Sequence, residues 1–572
     1  MTLLAKFGLI VAALFIVSCT LTPVQQTPAS TPTQQQTDYQ SPRETRSFEK
    51  ETLYELLVAE FANKRGRPDL ALGHYQKQAH ITKDAQVTAR ATQIAQQMGA
   101  QQAILDTSML WIDIEPDNVH ARVTATLQLL KYKQFDQALD QVEALLDLSS
   151  TLKYDQLLRN TTRANATQRS QIIQRLTSII KKHPNNAQLW AIKAMLENSN
   201  NLMTDATNSI MQALTIKPDY THAILFNSGL LIKLGKNTKA LNYLEQQSKT
   251  YPLDKNLGIA YSKVLAKRKD HPKLSKQLGT LAENFPNDPS VLLSTAQIAQ
   301  STQLIAIAKK HLNLLIERDQ LTIEAHNFLA QIAAGEDDFD AAAEHLKMIK
   351  PGPGYTAAQI KIASIQQRQG NIEAARETLQ SAQQLAPDET LAFQLAEAEL
   401  YSKDEQHQKA INILNIIINK KPEATSALYM RAMAYAELNQ YQQMEKDLRI
   451  VLKFQPNNTA ALNALGYTLA DHNNRLEEAT NLIEKAYALS PKDPAIIDSL
   501  GWLKYRMGDN EAALLLLRKA YSLFKDQEIA AHLGEILWVM DQKEEAQAIW
   551  QNGLETTPDS VIIRKAMKRL TQ

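Results

Sequence analysis

Two apolar stripes with the spacing of an α-helix follow one another within residues 495–525, and a short polar turn separates them. Leu500 and Gly501 share a face of the first segment, while Ala513 and Leu517 share a face of the second. The small residues allow two antiparallel helices to approach closely, and the leucines fill the space between them. The pattern therefore predicts a helical hairpin.

The hairpin pattern recurs in phase along most of the chain. Pro116 and Pro558 close two of its units and lie 442 positions apart, which is thirteen times 34. A helix–turn–helix unit of about 34 residues resembles the tetratricopeptide repeat (TPR). That resemblance implies an all-α TPR solenoid of about fifteen hairpins. Prolines that close further units are Pro184, Pro218, Pro252, Pro286, Pro387, Pro422, Pro456 and Pro491.

The repeats are not equally regular. We assign the array to residues 48–558, with weaker repeats around 151–184 and 255–286, and a capping helix to residues 559–572. The stretch 159–170 is polar and lacks an apolar stripe, so it is interpreted as a loop or a degenerate repeat. Such a stretch could divide the array into two subdomains, although an irregular repeat is the simpler interpretation.

The amino terminus has the pattern of a targeting signal. Within residues 1–18, Lys6 precedes a short apolar core at 7–17, and the only cysteine of the chain, Cys19, follows at once. This arrangement resembles the lipobox of bacterial lipoproteins, which implies that Cys19 is lipidated; a buried free cysteine is the alternative. Thr20 in place of aspartate implies sorting to the outer membrane.

Residues 19–47 are predicted to be a lipidated cysteine followed by a disordered tether. The segment is rich in Thr, Gln, Pro and Ser and has almost no apolar residue to bury. As a coil it would span about 30 Å, and fully extended about 85 Å. A chain anchored through Cys19 could therefore reach away from its membrane.

Composition and motifs favour a binding protein over an enzyme. The 62 basic and 61 acidic residues nearly cancel and no basic domain stands out, so nucleic acid is not an expected partner. No nucleophile elbow, phosphate loop or metalloprotease motif occurs, and the twelve histidines are scattered. The sequence PGPG at 351–354 is turn chemistry between repeats. We expect no catalytic residue, metal site or cofactor.

A partner is expected to bind the first helices of the C-terminal hairpins. In TPR proteins these helices line a groove, and aromatic residues with a few charges are typical of interface anchors. Packing of Trp502 and Trp538 against the adjacent repeat or the capping helix is the alternative. The candidate groove residues are Tyr429, Met433, Asn463, Tyr467, Asp498, Trp502, Tyr505, Arg506, Glu535 and Trp538.

Two passages sharpen the resemblance. They are residues 53–75 (LYELLVAEFANKRGRPDLALGHY) and residues 496–540, which begin IIDSLGWLKYRMGDNEAALLLLRKAY. Both are similar to the TPR outer-membrane lipoproteins that serve as adaptors of a periplasmic C-terminal processing protease. The resemblance implies a scaffold at the periplasmic face of the outer membrane that presents peptidoglycan hydrolases to that protease. The alternatives are an assembly lipoprotein of a pilus, secretion or polysaccharide-export machine, and an enzyme with an unrecognised site.

Overall fold

The computed structural model of the protein describes residues 47–148, 152–472 and 475–571. Within these ranges the chain forms α-helices, two 3-10 helices and short turns. It separates into two compact units, of which the N-terminal one ends at Gln320 and the C-terminal one begins at Leu321. The predicted all-α array of helical hairpins is confirmed.

The N-terminal unit contains seven regular hairpins and one irregular one, formed by α7, a 3-10 helix at Arg159–Arg163 and α8. Its helices are α1 (Lys50–Lys64), α2 (Pro68–Thr82), α3 (Ala85–Met98), α4 (Gln101–Ile114), α5 (Val119–Lys131), α6 (Phe135–Leu148), α7 (Tyr154–Leu157), α8 (Ala166–Lys182), α9 (Ala187–Ser199), α10 (Met203–Ile216), α11 (Thr221–Lys233), α12 (Asn237–Thr250), α13 (Lys255–Lys267), α14 (His271–Asn284), α15 (Pro289–Ser301) and α16 (Ile305–Glu317).

The C-terminal unit contains seven hairpins followed by a single final helix, with a 3-10 turn at Pro387–Glu389. Its helices are α17 (Thr322–Gly335), α18 (Phe339–Lys347), α19 (Tyr355–Arg368), α20 (Ile372–Leu385), α21 (Thr390–Lys403), α22 (His407–Lys420), α23 (Thr425–Glu437), α24 (Tyr441–Phe454), α25 (Thr459–Asp471), α26 (Leu476–Leu489), α27 (Pro494–Arg506), α28 (Asn510–Leu523), α29 (Gln527–Val539), α30 (Lys543–Thr556) and α31 (Val561–Thr571).

Local chemistry sets where the helices begin and turn. Several first helices start after a side chain that accepts a hydrogen bond from their free backbone N–H groups, as Asp254 and Asp288 do for α13 and α15. Turns inside many hairpins pass through a left-handed residue at intervals of about 34, for example Asn201, Gly235 and Lys269 with φ of 61°, 72° and 58°. Glycine occupies this position in only some repeats, which is why the turn was less visible in the sequence than the prolines.

The core of each hairpin lies between its two helices, as the apolar stripes predicted. Ala513 and Leu517 are fully buried. A Cβ on Gly501 would lie 2.8 Å from Leu517 Cγ, so α27 and α28 approach too closely there for any side chain. The atoms nearest to Gly501 belong to Leu517 and Leu516. The close approach therefore involves Leu517, one of the leucines that the pattern placed between the two helices.

The polar stretch at 159–170 is part of an irregular repeat and does not interrupt the core. Asn165 caps α8 through a reciprocal pair of hydrogen bonds with Gln168. Leu158 and Leu176 are both fully buried in one cluster that continues into α9. The boundary between the two compact units lies far from this stretch, after Gln320.

Residues 1–46 lie outside the described residues, so the signal peptide, the lipidation of Cys19 and the tether remain predictions. No helix in the described part of the chain is both long and apolar enough to cross a membrane.

Candidate functional site

Of the ten predicted groove residues, five are buried and five are half-buried. Five have 9% or less of their surface exposed, and they are Met433, Tyr467, Asp498, Trp502 and Glu535. The other five are half-buried, and they are Tyr429, Asn463, Tyr505, Arg506 and Trp538. The prediction that the groove residues are exposed to a partner is therefore wrong for the buried five. Four of them contact the first helices of other hairpins, and Met433 belongs to the hydrophobic core.

Four buried groups form a continuous hydrogen-bonded chain across α25, α27 and α29. The hydroxyl of Tyr467 donates to Glu528 Oε1 at 2.9 Å, and its oxygen lies 3.3 Å from His532 Nε2. His532 Nδ1 lies 2.9 Å from Asp498 Oδ2. A doubly protonated His532 satisfies both contacts, donating to Asp498 on one side and to the Tyr467 oxygen on the other.

Burial and charge shift the acidities within this chain. Burial lowers the pKa of His532, but the charge and hydrogen bond of Asp498 outweigh it and raise the pKa to about 9. Burial raises the pKa of the Glu528 carboxyl to about 7, against the opposing effect of His532. Burial and the Glu528 carboxylate also raise the pKa of Tyr467 well above its usual range. At neutral pH this hydrogen-bonded chain therefore holds an imidazolium at His532 and a neutral phenol at Tyr467.

Trp502 covers this hydrogen-bonded chain. Its ring stacks on the His532 imidazole with 4.1 Å between centroids and 20° between planes. Its indole N–H donates to Asp471 Oδ1 at 3.1 Å. An aromatic face against an imidazolium favours the charged form. Trp502 therefore packs over the four hydrogen-bonded residues. This agrees with the packing alternative and not with a role as an exposed anchor.

A second ion pair joins the final helix to α29. Arg569 of α31 donates through Nη2 to Glu535 Oε2, and the Tyr505 hydroxyl donates to Glu535 Oε1 at 3.3 Å. Glu535 is 5% exposed, whereas the Arg569 side chain is 59% exposed. The pair holds the end of the array in place, and its cation is the part that faces solvent.

Only the half-buried residues of the predicted groove have side chains that solvent or a partner can reach. The Trp538 ring lies 5.8 Å from that of Trp550, and Lys543 Nζ lies 5.6 Å above it, so its own hairpin covers part of it. Asn463 has a buried side-chain oxygen without a hydrogen-bond partner in the described residues. The five half-buried side chains lie on α23, α25, α27 and α29.

His532, Glu528, Asp471 and Arg569 were not among the predicted site residues. A signal for two of them was present, because Asp498 and His532 are 34 positions apart, and so are Glu535 and Arg569. One repeat length places two residues at equivalent positions of adjacent first helices. Opposite charges at that spacing predict a contact between the two helices.

The four hydrogen-bonded residues Tyr467, Glu528, His532 and Asp498, called the clasp below, have a structural role. Asp498 and Glu528 are each 1% exposed and His532 is 4% exposed, so no substrate reaches them in this conformation. Among residues 47–148, 152–472 and 475–571, no group of three or more His, Cys, Asp or Glu side chains could hold a metal ion. The clasp links three successive hairpins of the C-terminal unit through hydrogen bonds between α25, α27 and α29.

Comparison with known proteins adds the family. Residues 367–421 match the model of YpiA-like tetratricopeptide repeats, and residues 429–494 match a tetratricopeptide repeat model. The TPR repeat-containing protein PA4667 of Pseudomonas aeruginosa is 34% identical over 557 residues, which cover 96% of this chain and 93% of that protein.

Two further proteins are similar over parts of the chain. Bacteriophage adsorption protein A of Escherichia coli is 25% identical over 293 residues, which are 50% of this chain and 28% of that protein. A crystal structure of a tetratricopeptide repeat protein from Parabacteroides merdae aligns with 44% of this chain and 99% of its own, at 21% identity and a TM-score of 0.36.

Proposed function

The chain belongs to the tetratricopeptide repeat family of its Pseudomonas aeruginosa relative, whose members are protein–protein interaction scaffolds, and from that premise we propose that it is a protease adaptor. In this proposal it is anchored to the outer membrane through Cys19 and faces the periplasm. It holds a C-terminal processing protease and a peptidoglycan hydrolase together, so that the protease degrades the hydrolase.

The observation that carries the proposal is the continuity of the array. Helical hairpins occupy the described chain from Lys50 to Thr556, so each of the two units offers repeat surface to partners and the described residues in between form no separate catalytic domain. The resemblance of residues 53–75 and 496–540 to the adaptor lipoproteins supports the choice of partners. The lipobox pattern supports the location.

The mechanism requires only proximity. Two proteins held on one scaffold meet at an effective concentration of order millimolar if their sites can be occupied together. A protease that binds its substrate weakly then cleaves it without any new chemistry. The membrane anchor adds location, because it places the complex close to the cell wall on which the hydrolase acts.

Reconstitution of the three proteins tests the proposal. Cleavage of the hydrolase by the protease should be slow without this chain, faster at stoichiometric amounts of it, and slow again at large excess. The final decrease is expected because a bridging scaffold in excess binds the two partners on separate molecules.

Two other outcomes have different meanings. A rate that rises to a plateau and stays there would indicate allosteric activation of the protease instead of bridging. No effect at any ratio would contradict the adaptor proposal and favour a scaffold of an assembly machine.

A further inference from the structure

A cleft of about 610 Å³ opens in the N-terminal unit between α9 and α11. Met195 and Asn198 of α9 line one wall, and residues of α11 from His222 to Lys233 line the other. The irregular repeat closes one end with Asp155. The volume is in the range of sites that enclose a small molecule or a few residues of a peptide.

The irregular repeat shapes this cleft. Its first helix, α7, has only four residues and continues as a 3-10 turn. This short element brings the Asp155 carboxylate to His222, two repeats further along the chain, with 2.7 Å between Oδ2 and Nδ1. The contact joins α7 to the start of α11 at this end of the cleft, and Asp155 is the one carboxylate among the residues that line it.

The middle of the cleft is apolar and has room for a side chain. Met195, Phe226 and Leu230 supply apolar surface there. Gly229 lies between them on α11, and a Cβ built on it would meet no atom within 4 Å. An apolar side chain of a ligand would therefore contact the methionine, the phenylalanine and the bare backbone of α11.

The ends of the cleft carry cations without acidic partners. Lys233 Nζ contacts the Asn198 amide oxygen at 3.0 Å and forms no ion pair among the described residues. Arg159 is exposed and likewise forms none in the described chain. Burial and the nearby Asp155 charge raise the pKa of Tyr220, so its hydroxyl stays protonated. That hydroxyl oxygen is buried without a hydrogen-bond partner in the described residues. Lys233 and Arg159 are thus available to an anion, whereas the Tyr220 hydroxyl faces the Asp155 carboxylate.

We propose that this cleft binds a peptide segment that presents an apolar side chain beside a carboxylate. The apolar side chain lies over Gly229, and the carboxylate meets Lys233 or Arg159. Polar groups at both ends suit the alternating groups of a peptide better than an acyl chain, which needs a continuous apolar wall. The inference rests on the scaffold function proposed above and specifies the chemistry that one partner offers.

Fluorescence polarisation with matched peptides tests the inference on the full-length chain. The probe is a fluorescein-labelled, C-terminally amidated peptide with the sequence Gly-Ser-Phe-Glu-Gly. Comparison peptides carry Ser for Phe, Gln for Glu, or both. Each single replacement should weaken binding about tenfold, and Lys233→Ala should do the same for the parent probe.

Gly229→Leu should abolish binding, because the new side chain projects into the cleft from a position where its Cβ meets no atom within 4 Å. Gly279→Leu is the matched control, since Gly279 is also a helical glycine with no atom within 4 Å of a Cβ and lies outside the cleft. It should bind as the wild type does. Circular dichroism should show the same helical content for both variants.

Three results would overturn the inference: no binding of the parent probe up to about 1 mM, equal binding of the four peptides, or wild-type binding by Gly229→Leu. Displacement of the probe by dodecanoate together with equal affinity for all peptides would assign the cleft to an acyl chain. The reconstitution assay separates the two proposals. If the wild-type protein never binds the peptides but still stimulates the protease, the assignment of the cleft fails while the adaptor proposal stands.

Discussion

Replacing Gly534 by alanine tests how closely α29 and α30 approach. A Cβ on Gly534 would lie 2.1 Å from Trp550 Nε1 and 2.5 Å from both Cδ1 and Cε2 of the same ring. Favourable carbon contacts lie near 3.5–4.0 Å. The ring must therefore move by about 1 Å or more. Trp550 is fully buried and its indole N–H faces the Ala531 carbonyl at 3.4 Å, so it has little space to move into.

The expected loss is about 2 kcal/mol. Overpacking of a close-packed core costs about 1–3 kcal/mol, and the rigid indole places Gly534→Ala at the upper end of that range. Replacing a helical glycine by alanine recovers about 0.5–1 kcal/mol. If the strain expels the indole, the loss rises towards the 3–5 kcal/mol typical of deleting a buried tryptophan.

Guanidinium denaturation followed by circular dichroism measures the overall loss, and hydrogen exchange of the α29 and α30 amides locates it. Localisation matters because repeat arrays lose structure by segments and not always in one step. Gly279→Ala is the control, since a Cβ there meets nothing and the variant should gain about 0.5–1 kcal/mol. Trp550→Leu should relieve the strain, so the double variant with Gly534→Ala should be more stable than additivity predicts. A gain for Gly534→Ala equal to that of the control would refute the close approach.

Three further predictions concern the anchor, the clasp and the accessible surface. Cys19→Ser should abolish fatty-acid labelling in cells, and label retained by the variant would contradict the lipobox assignment. Glu528 and His532 have pKa values of about 7 and about 9, both above their usual values, so both bind protons more tightly when folded. The stabilisation of the fold by these two groups should therefore be greatest below about pH 5 and should decrease as the pH rises to about 9. In melting curves recorded across this range, Asp498→Asn should reduce the decrease at the upper end, where His532 loses its proton. Trp538→Ala should weaken partner binding by about 2 kcal/mol with unchanged helical content, and joint loss of binding and helicity would indicate a packing role.

The helices were predictable from the sequence because each hairpin buries the same kind of apolar stripe between its two helices. Apolar residues at helical spacing, small residues where the helices cross and a proline at the end recur with one period. The position of Leu517 against Gly501 follows from that pattern. The irregular repeat was harder to predict, since α7 and the 3-10 turn at Arg159–Arg163 keep no periodic stripe, and their place in the core depends on α8 and α9.

The state of the predicted groove was not predictable in the same way. A position in a repeat tells which helix face a residue occupies, but exposure depends on how far neighbouring first helices stand apart. Tyr467 reaches Glu528, 61 residues away, because the first helices of alternate hairpins come close enough for one side chain to bridge them. A pattern that repeats every 34 residues contains no information on such a contact between alternate repeats.

The clasp in the C-terminal unit is buried, whereas the cleft in the N-terminal unit is accessible, and the charges at the two places differ. In the clasp, one repeat length separates Asp498 from His532, and their opposite charges neutralise each other between adjacent helices. In the cleft the side chains at the ends, Arg159 and Lys233, are both cations and cannot pair with one another. In the clasp the opposite charges bury one another between two helices, whereas Lys233 in the cleft has no carboxylate partner among the described residues and can meet one that a ligand supplies.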